Sequence, residues 1–196
     1  MRIQRFINSV FESNSYVVFH ESDAILVDAG DFEPIYKFLK DNWLRLKAVL
    51  ITHIHYDHIY GIQKLMTCCP EVPVITSDFG KQAFNKSNRN FSRYHNDPIE
   101  IDSPMIRAVS DSDSLDLLDD LKVRVISTPG HDKSCQCYMV DNKFFTGDSY
   151  IPGVKLITSF PNSDKLLAKT SLDKIKGLIV PGMLICPGHG VPVIAK

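Results

Sequence analysis

The chain has no surplus of either charge: 22 Lys and Arg stand against 23 Asp and Glu among 196 residues. Nothing in that balance favours nucleic acid or an anionic membrane surface as a partner. Long apolar runs are also missing. The first residues, Met1-Arg2-Ile3-Gln4-Arg5-Phe6-Ile7, alternate polar with apolar like a strand and do not make the apolar stretch of a signal peptide. No segment is apolar enough to span a bilayer. A cytoplasmic protein acting on a small-molecule substrate, without nucleic acid or membrane as partner, is the expectation. Cysteine is sparse and unpatterned. Cys68, Cys69, Cys135, Cys137 and Cys186 form an odd set without Cys-x-x-Cys spacing, which suits free thiols packed as small core residues better than a disulfide framework. With 44% hydrophobic content, the length allows one sizeable core, so residues 1–196 are expected to form a single domain.

The patterning that is present alternates strands with helices. Ser15 to Phe19 and Ala24 to Val27 read as strands, the second ended by Asp28-Ala29-Gly30. Ile35, Phe38, Leu39 and Trp43 recur at helical spacing, Lys47 to Thr52 is short and β-prone, and a helix is expected from about His58 to Met66. Residues 77 to 105 carry scattered Phe79, Phe84, Phe91 and Tyr94 without a sustained period and are read as a short helix and a loop. Leu121 to Ser127 alternates again, and Cys137 to Val140 pairs with Lys143 to Thr146 across an Asp141-Asn142 turn. Ser163 is placed to cap a helix whose inner face is Ala168, Leu172, Ile175 and Ile179, and Met183 to Cys186 makes a last strand. Two strand clusters, each followed by helices, predict an α/β sandwich of two mixed sheets with helices outside.

The strongest chemical signal is Thr52-His53-Ile54-His55-Tyr56-Asp57-His58, where an apolar strand gives way to a helix. Residues two apart in extended chain point to one side, so His53 and His55 can grip one ion, while Asp57 and His58 past the bend can turn towards a second. A lone His-x-His is weak. Three further segments strengthen it: Thr128-Pro129-Gly130-His131, Thr146-Gly147-Asp148-Ser149 and Cys186-Pro187-Gly188-His189-Gly190. Each puts a metal-capable residue just after a strand, with Gly or Pro to turn the backbone sharply. Five of the 7 histidines are used this way, and His20 and His95 are left as exposed or simply hydrogen-bonded residues.

In this order the motifs resemble the metallo-β-lactamase fold superfamily, and most closely its glyoxalase II-like branch. The resemblance covers nearly the whole chain, including Val27-Asp28-Ala29-Gly30. It implies a four-layer αβ/βα sandwich and two divalent metal ions, zinc before iron or manganese. It assigns His53, His55 and His131 to the first ion, Asp57, His58 and His189 to the second, and Asp148 to a bridge. The implied reaction is hydrolysis of a small ester or thioester by a hydroxide shared between the ions, with Asp57 as the catalytic residue that orients it or handles its proton. Asp28 and Thr52 read equally well as partners that orient the ligands or as ordinary strand ends.

Other members of the resemblance fit less well. The β-lactamases carry Cys or Ser where Asp148 stands, flavodiiron proteins carry Glu where His55 stands, and a phosphodiesterase or nuclease would want a basic phosphate track. A non-haem iron persulfide dioxygenase, with one iron on two His and one Asp, is the alternative from a different reaction class. Two departures from the glyoxalase II pattern matter. Asp132 and Lys133 follow His131 where Thr and a small residue are usual, which is expected to alter the charge at the pocket edge. Only Gly190 to Lys196 follow His189, so a counterpart of the helical domain that helps glyoxalase II enzymes bind glutathione is not expected. The pocket wall is expected from residues 77–105 and 150–162 instead.

Overall fold

Alternating burial along the strands decides how the elements stack. The computed structural model of the chain describes residues 1–118 and 121–196. Its first half supplies β1 (Arg2–Ile7), β2 (Asn14–His20), β3 (Asp23–Val27), β4 (Arg45–Leu50), β5 (Val74–Thr76) and β6 (Ile106–Ala108), side by side in that order. The first three make the expected antiparallel meander; β3 to β6 pair in parallel. Parallel neighbours need a crossover, and the crossovers carry α1 (Phe32–Asp41), α2 (Tyr56–Ile59) with α3 (Ile62–Cys68), and α4 (Asp78–Ala83). The second half forms another sheet from β7 (Ser114–Leu118), β8 (Leu121–Ser127), β9 (Gln136–Val140), β10 (Lys143–Gly147), β11 (Leu184–Pro187) and β12 (Val193–Ile194), again in sequence order across the sheet. Helix α5 (Lys165–Leu178) makes the crossover from β10 to β11, which pair in parallel.

Successive side chains on a strand point to opposite faces. Tyr16, Val18, Ile25, Val27, Ala48 and Leu50 of the first sheet therefore meet Val123, Val125, Tyr138, Val140 and Phe145 of the second in one core. Their neighbours Val17, Phe19, Leu26 and Val49 pack instead with Ile35 and Leu39 of α1 and with Ile62 and Leu65 of α3. On the far side, Ile126, Cys137 and Phe144 close against Ile175 of α5. The result is the four-layer sandwich expected, with the inner strands β2 and β3 buried on both faces while β1, β7 and β8 alternate exposed with less exposed positions. Cys135, Cys137 and Cys186 are buried free thiols, as expected of core cysteines, whereas Cys68 is exposed and Cys69 intermediate.

Three local expectations need correction. The helix anticipated from about His58 to Met66 begins at Tyr56 and breaks into two. At the break, the Gly61 N–H donates to the Ala29 carbonyl at 2.9 Å and the Ala29 N–H to His58 at 2.8 Å. A Cβ on Gly61 would lie 2.0 Å from the Gly30 oxygen, so the turn after β3 docks its backbone where a continuous helix would need side chains. Ser163 does not cap α5. Asp164 does, its Oδ1 accepting from the Leu166 and Leu167 N–H groups at 2.9 and 3.0 Å, while Ser163 Oγ donates to the His131 carbonyl at 2.6 Å.

Trp43 is the third. It does not extend the inner face of α1 but lies beyond the helix end, 87% exposed, with a left-handed φ of 54°. A bulky residue gains nothing there and bears backbone strain that Asn or Gly avoids. Trp43→Asn is therefore expected to change stability to urea by less than about 1 kcal/mol. Leu39→Ala, on the buried face of the same helix, should cost about 2–5 kcal/mol. A Trp43→Asn loss as large as that of Leu39→Ala would return Trp43 to the core.

Candidate metal centre

Four loops open on one edge of the sandwich. His53 and His55 follow β4, His131 follows β8, Asp148 follows β10 and His189 follows β11. Backbone hydrogen bonds tie the loops together, across the two sheets from Gln136 N–H to Thr52 O at 2.8 Å and from Asn14 N–H to Gly188 O at 2.6 Å, and within the second sheet from Gly188 N–H to Gly147 O at 2.9 Å. Gly188 is required for closeness, since a Cβ there would fall 2.1 Å from Asp148 Oδ1.

All seven residues singled out from the sequence meet at this edge. His53, His55 and His131 form one group whose ligand atoms lie within 4.8 Å of one another, and Asp57, His58 and His189 form a second. Asp148 reaches both. Its Oδ2 is 3.6 Å from His131 Nε2 and 3.5 Å from His189 Nε2, and its Oδ1 is 3.7 Å from His58 Nε2. Asp57 Oδ2 sits 3.3 Å from His58 Nε2 and 3.2 Å from His189 Nε2.

Each imidazole has one nitrogen engaged from outside and the other aimed inward. His131 Nδ1 donates to the Ile157 carbonyl at 2.9 Å and His189 Nδ1 to the Phe11 carbonyl at 3.1 Å. His58 Nδ1 donates to Asp28 Oδ2 at 2.8 Å. His53 Nδ1 donates to Thr52 Oγ1 at 3.1 Å, and that hydroxyl in turn donates to Asp28 Oδ2 at 2.8 Å. One buried carboxylate thus orients two rings, and Asp28 and Thr52 are positioning residues rather than mere strand ends. His55 is reversed: Nδ1 faces His131 Nε2 at 3.2 Å, while Nε2 faces Asp132 Oδ2 at 3.5 Å.

Burial makes this donor set costly without a cation. His53 is fully buried, and burial together with the neighbouring His58, His55, His131 and His189 rings pushes its pKa well down, leaving a neutral ring. Burial also lowers His131. Burial alone would raise Asp57, but His58 and His189 outweigh it and hold the carboxyl ionised. Among the described residues His53 Nε2, His55 Nε2, Asp148 Oδ1 and Asp132 Oδ2 are buried with no hydrogen-bond partner. His53 Nε2, on a ring held neutral, and Asp148 Oδ1 offer the idle lone pairs that divalent transition metals require, whereas His55 Nε2 and Asp132 Oδ2 face each other at 3.5 Å. The residues fit such ions.

Asp132 departs from its expected place. It does not edge the pocket but is fully buried, with Oδ1 accepting from the Ser134 N–H at 2.8 Å and from Ser134 Oγ at 2.5 Å. Its chemistry is directed at His55, and the only signal for it in the sequence was the departure from Thr after His131. His95 is not idle either: its ring stacks on Tyr56 with centroids 3.6 Å apart and lines the cavity above the centre. His20 remains in β2, outside the site. The cavity holds about 700 Å³, and its walls come from residues 91–95 and 151–161, the segments expected to supply them, with Phe11 added.

The metallo-beta-lactamase superfamily model matches residues 8–189. The chain belongs to the metallo-β-lactamase superfamily. A hydroxyacylglutathione hydrolase of Vibrio cholerae is 33% identical over 129 residues, which make up 65% of this chain and 42% of that protein. The chain spans about half the length of the curated relatives it matches, between 42% and 64% in the cases compared. Among solved structures, BLEG-1 B3 metallo-beta-lactamase superposes with a TM-score of 0.89 at 23% identity, covering 98% of this chain and 94% of its own. TTHA1623 in a di-iron-bound form superposes with a TM-score of 0.83 at 22% identity over 97% and 94% of the two chains. These likenesses show that the metallo-β-lactamase fold is shared.

The dependence of two rings on Asp28 has a measurable consequence even in metal-free protein. Asp28→Ala leaves buried His58 without its partner and removes acceptors from Thr52, so it is expected to cost about 3–5 kcal/mol in urea unfolding. A loss below about 1 kcal/mol would reduce Asp28 to a strand end.

Proposed function

We propose that the protein, read as one domain over residues 1–196, is a dinuclear metal-dependent hydrolase of an ester or thioester. His53, His55 and His131 hold one ion, Asp57, His58 and His189 hold the other, and Asp148 lies between them. The observation that most supports this reading is the Asp148 carboxylate, whose Oδ2 stands 3.6 Å from His131 of one group and 3.5 Å from His189 of the other. The hydroxyacylglutathione hydrolases related to this chain favour a thioester over other superfamily substrates.

Two divalent ions, zinc before iron or manganese, would lower the pKa of a water held between them and polarise a carbonyl oxygen. The chain supplies the rest. Asp57, ionised and fixed between His58 and His189, is the catalytic residue that aligns the attacking water and takes its proton at Oδ2. Asp28, Thr52, Asp132 and the Ile157 and Phe11 carbonyls keep the five rings facing inward, so little reorganisation precedes the reaction.

Metal analysis tests the dinuclear reading. Purified protein reloaded with zinc, iron or manganese should saturate at two ions per chain. Asp148→Ala should lose at least one of them, and His20→Ala none. Saturation at one ion in the unaltered protein would overturn the reading in favour of a single-iron dioxygenase.

The role of Asp57 has its own test. Asp57→Asn, refilled to the metal content of the unaltered protein, should remain slower in kcat by about 100-fold, the size of a lost proton-transfer group. Full recovery on refilling would leave Asp57 a ligand only.

A further inference from the structure

The cavity over the centre is walled by apolar side chains, and their arrangement is built rather than incidental. The Phe91 and Phe160 ring centroids stand 5.9 Å apart, and each ring meets His55 in a T-shaped contact with centroids 5.0 and 4.9 Å away. Phe91 holds a left-handed φ of 62°, a conformation that costs a bulky residue of the order of 1–3 kcal/mol and persists only where the surroundings over-determine it. They do so here. Asn90 and Ser92 on either side are fully buried. Asn90 Nδ2 donates to the Ile99 carbonyl at 2.9 Å, Asn90 Oδ1 accepts from the Ser92 N–H at 3.0 Å, and Ser92 Oγ accepts from the Ile99 N–H at 2.7 Å. The segment carrying Phe160 is tied to the same loop, because Asn162 Nδ2 donates to the Arg89 carbonyl at 3.0 Å.

The rest of the wall continues this chemistry. Phe11, Tyr94, Val154, Ile157 and Phe160 are exposed large hydrophobics, and all five line this one cavity. None of the described residues lining it is Lys or Arg. Lys155 does not line it: it lines a cleft of about 20 Å³ that shares His131 and Asp148 with the cavity, and another of about 370 Å³ bordered by Leu172 and Lys176 of α5. Apart from the metal-facing donors, the cavity therefore offers apolar surface and no counter-charge.

We propose that the cavity selects uncharged esters or thioesters whose acyl group is aromatic or branched aliphatic, seated against Phe91 and Phe160. The proposal rests on the hydrolase reading and names the substrate class of that site. In the reaction the water oxygen bonds to the acyl carbon and the acyl–oxygen or acyl–sulfur bond breaks. The water proton goes to the leaving alkoxide or thiolate, giving an apolar carboxylic acid and an alcohol or thiol with no change of oxidation state. A carboxylate close to the scissile bond would lose hydration without gaining a partner, so charged acyl groups and the glutathione conjugate, with carboxylates on its thiol, are disfavoured.

The test compares benzoyl, isovaleryl, acetyl and succinyl thioesters of N-acetylcysteamine, a neutral thiol, and S-lactoylglutathione, all on one metal-loaded preparation. The benzoyl and isovaleryl thioesters should exceed the succinyl thioester and the glutathione conjugate in kcat/KM by about 100-fold. In Phe160→Ala, with metal content matched, the benzoyl-to-acetyl ratio should fall at least about tenfold. Turnover that favours succinyl or glutathione thioesters, or ignores the acyl group, overturns the proposal and leaves the hydrolase reading standing. A second measurement is independent of turnover: NMR titration with acetophenone, a neutral aromatic ketone with no bond to cleave, should saturate in the unaltered protein and weaken in Phe160→Ala. Saturable acetophenone binding in a protein that cleaves none of the thioesters supports the apolar selection and overturns the hydrolase reading. Absence of both overturns the two together.

Discussion

Crowding five imidazoles and two carboxylates at one sheet edge is possible only if every ring is held with a particular nitrogen inward, and Asp28 is where that requirement concentrates. It accepts from the Thr52 N–H at 2.7 Å, from Thr52 Oγ1 at 2.8 Å and from His58 Nδ1 at 2.8 Å. Through Thr52 it also sets His53. Its own backbone is left-handed, φ 58°, which Asp tolerates better than most residues and which swings the chain out of β3 so that Ala29 and Gly30 dock against the break between α2 and α3. The same short turn thus shapes the helix that carries Asp57 and His58 and orients the side chains facing them.

The rings positioned in this way oppose one another. Burial and mutual repulsion keep His53 neutral, while Asp28 and Asp57 together outweigh burial and push His58 well above its ordinary pKa. A group of buried donors with idle lone pairs is a stability cost for the metal-free protein, and any ion that binds the folded state alone offsets it through mass action. Donor geometry and fold stability are therefore coupled in this protein: the hydrogen bonds that aim the rings also set the electrostatic balance inside the cluster.

What was legible in the sequence follows from this coupling. The donors sit in short punctuated segments after strands, so the topology that parallel strands impose brings His53, His55, His131, Asp148 and His189 to one edge without any detail of packing. The two sheets with helices outside were legible too, because strands came in two clusters each followed by helices, and the family resemblance implied the four layers. Short elements were not. β5 and β6 have three residues each, too few to display a period, and their placement depends on neighbours far away in the chain. Trp43 fitted a helical spacing, but the helix ends before it. Asp132 could not be placed from its residue type, since an acidic residue beside a ligand reads as surface charge until the fold shows that it is enclosed with Ser134 and His55.

The two parts of the site obey different rules, which explains why one was readable residue by residue and the other only as segments. Metal donors are specified by residue type, and few alternatives to His and Asp exist, so their chemistry survives in the sequence as a pattern. The wall of the cavity is specified by shape and polarity alone, which many residues satisfy. Phe91 and Phe160 come from loops 69 positions apart in the chain (160 − 91), joined through Asn162 and Arg89 rather than through regular structure. A fold that holds its reactive groups on strand ends and its recognition surface on such loops can change substrate without disturbing the centre. In this chain the buried Asn90 and Ser92 hold Phe91 left-handed with its ring beside His55, and it is this combination of strain and placement, absent at the exposed Trp43, on which we propose a recognition role for the loop.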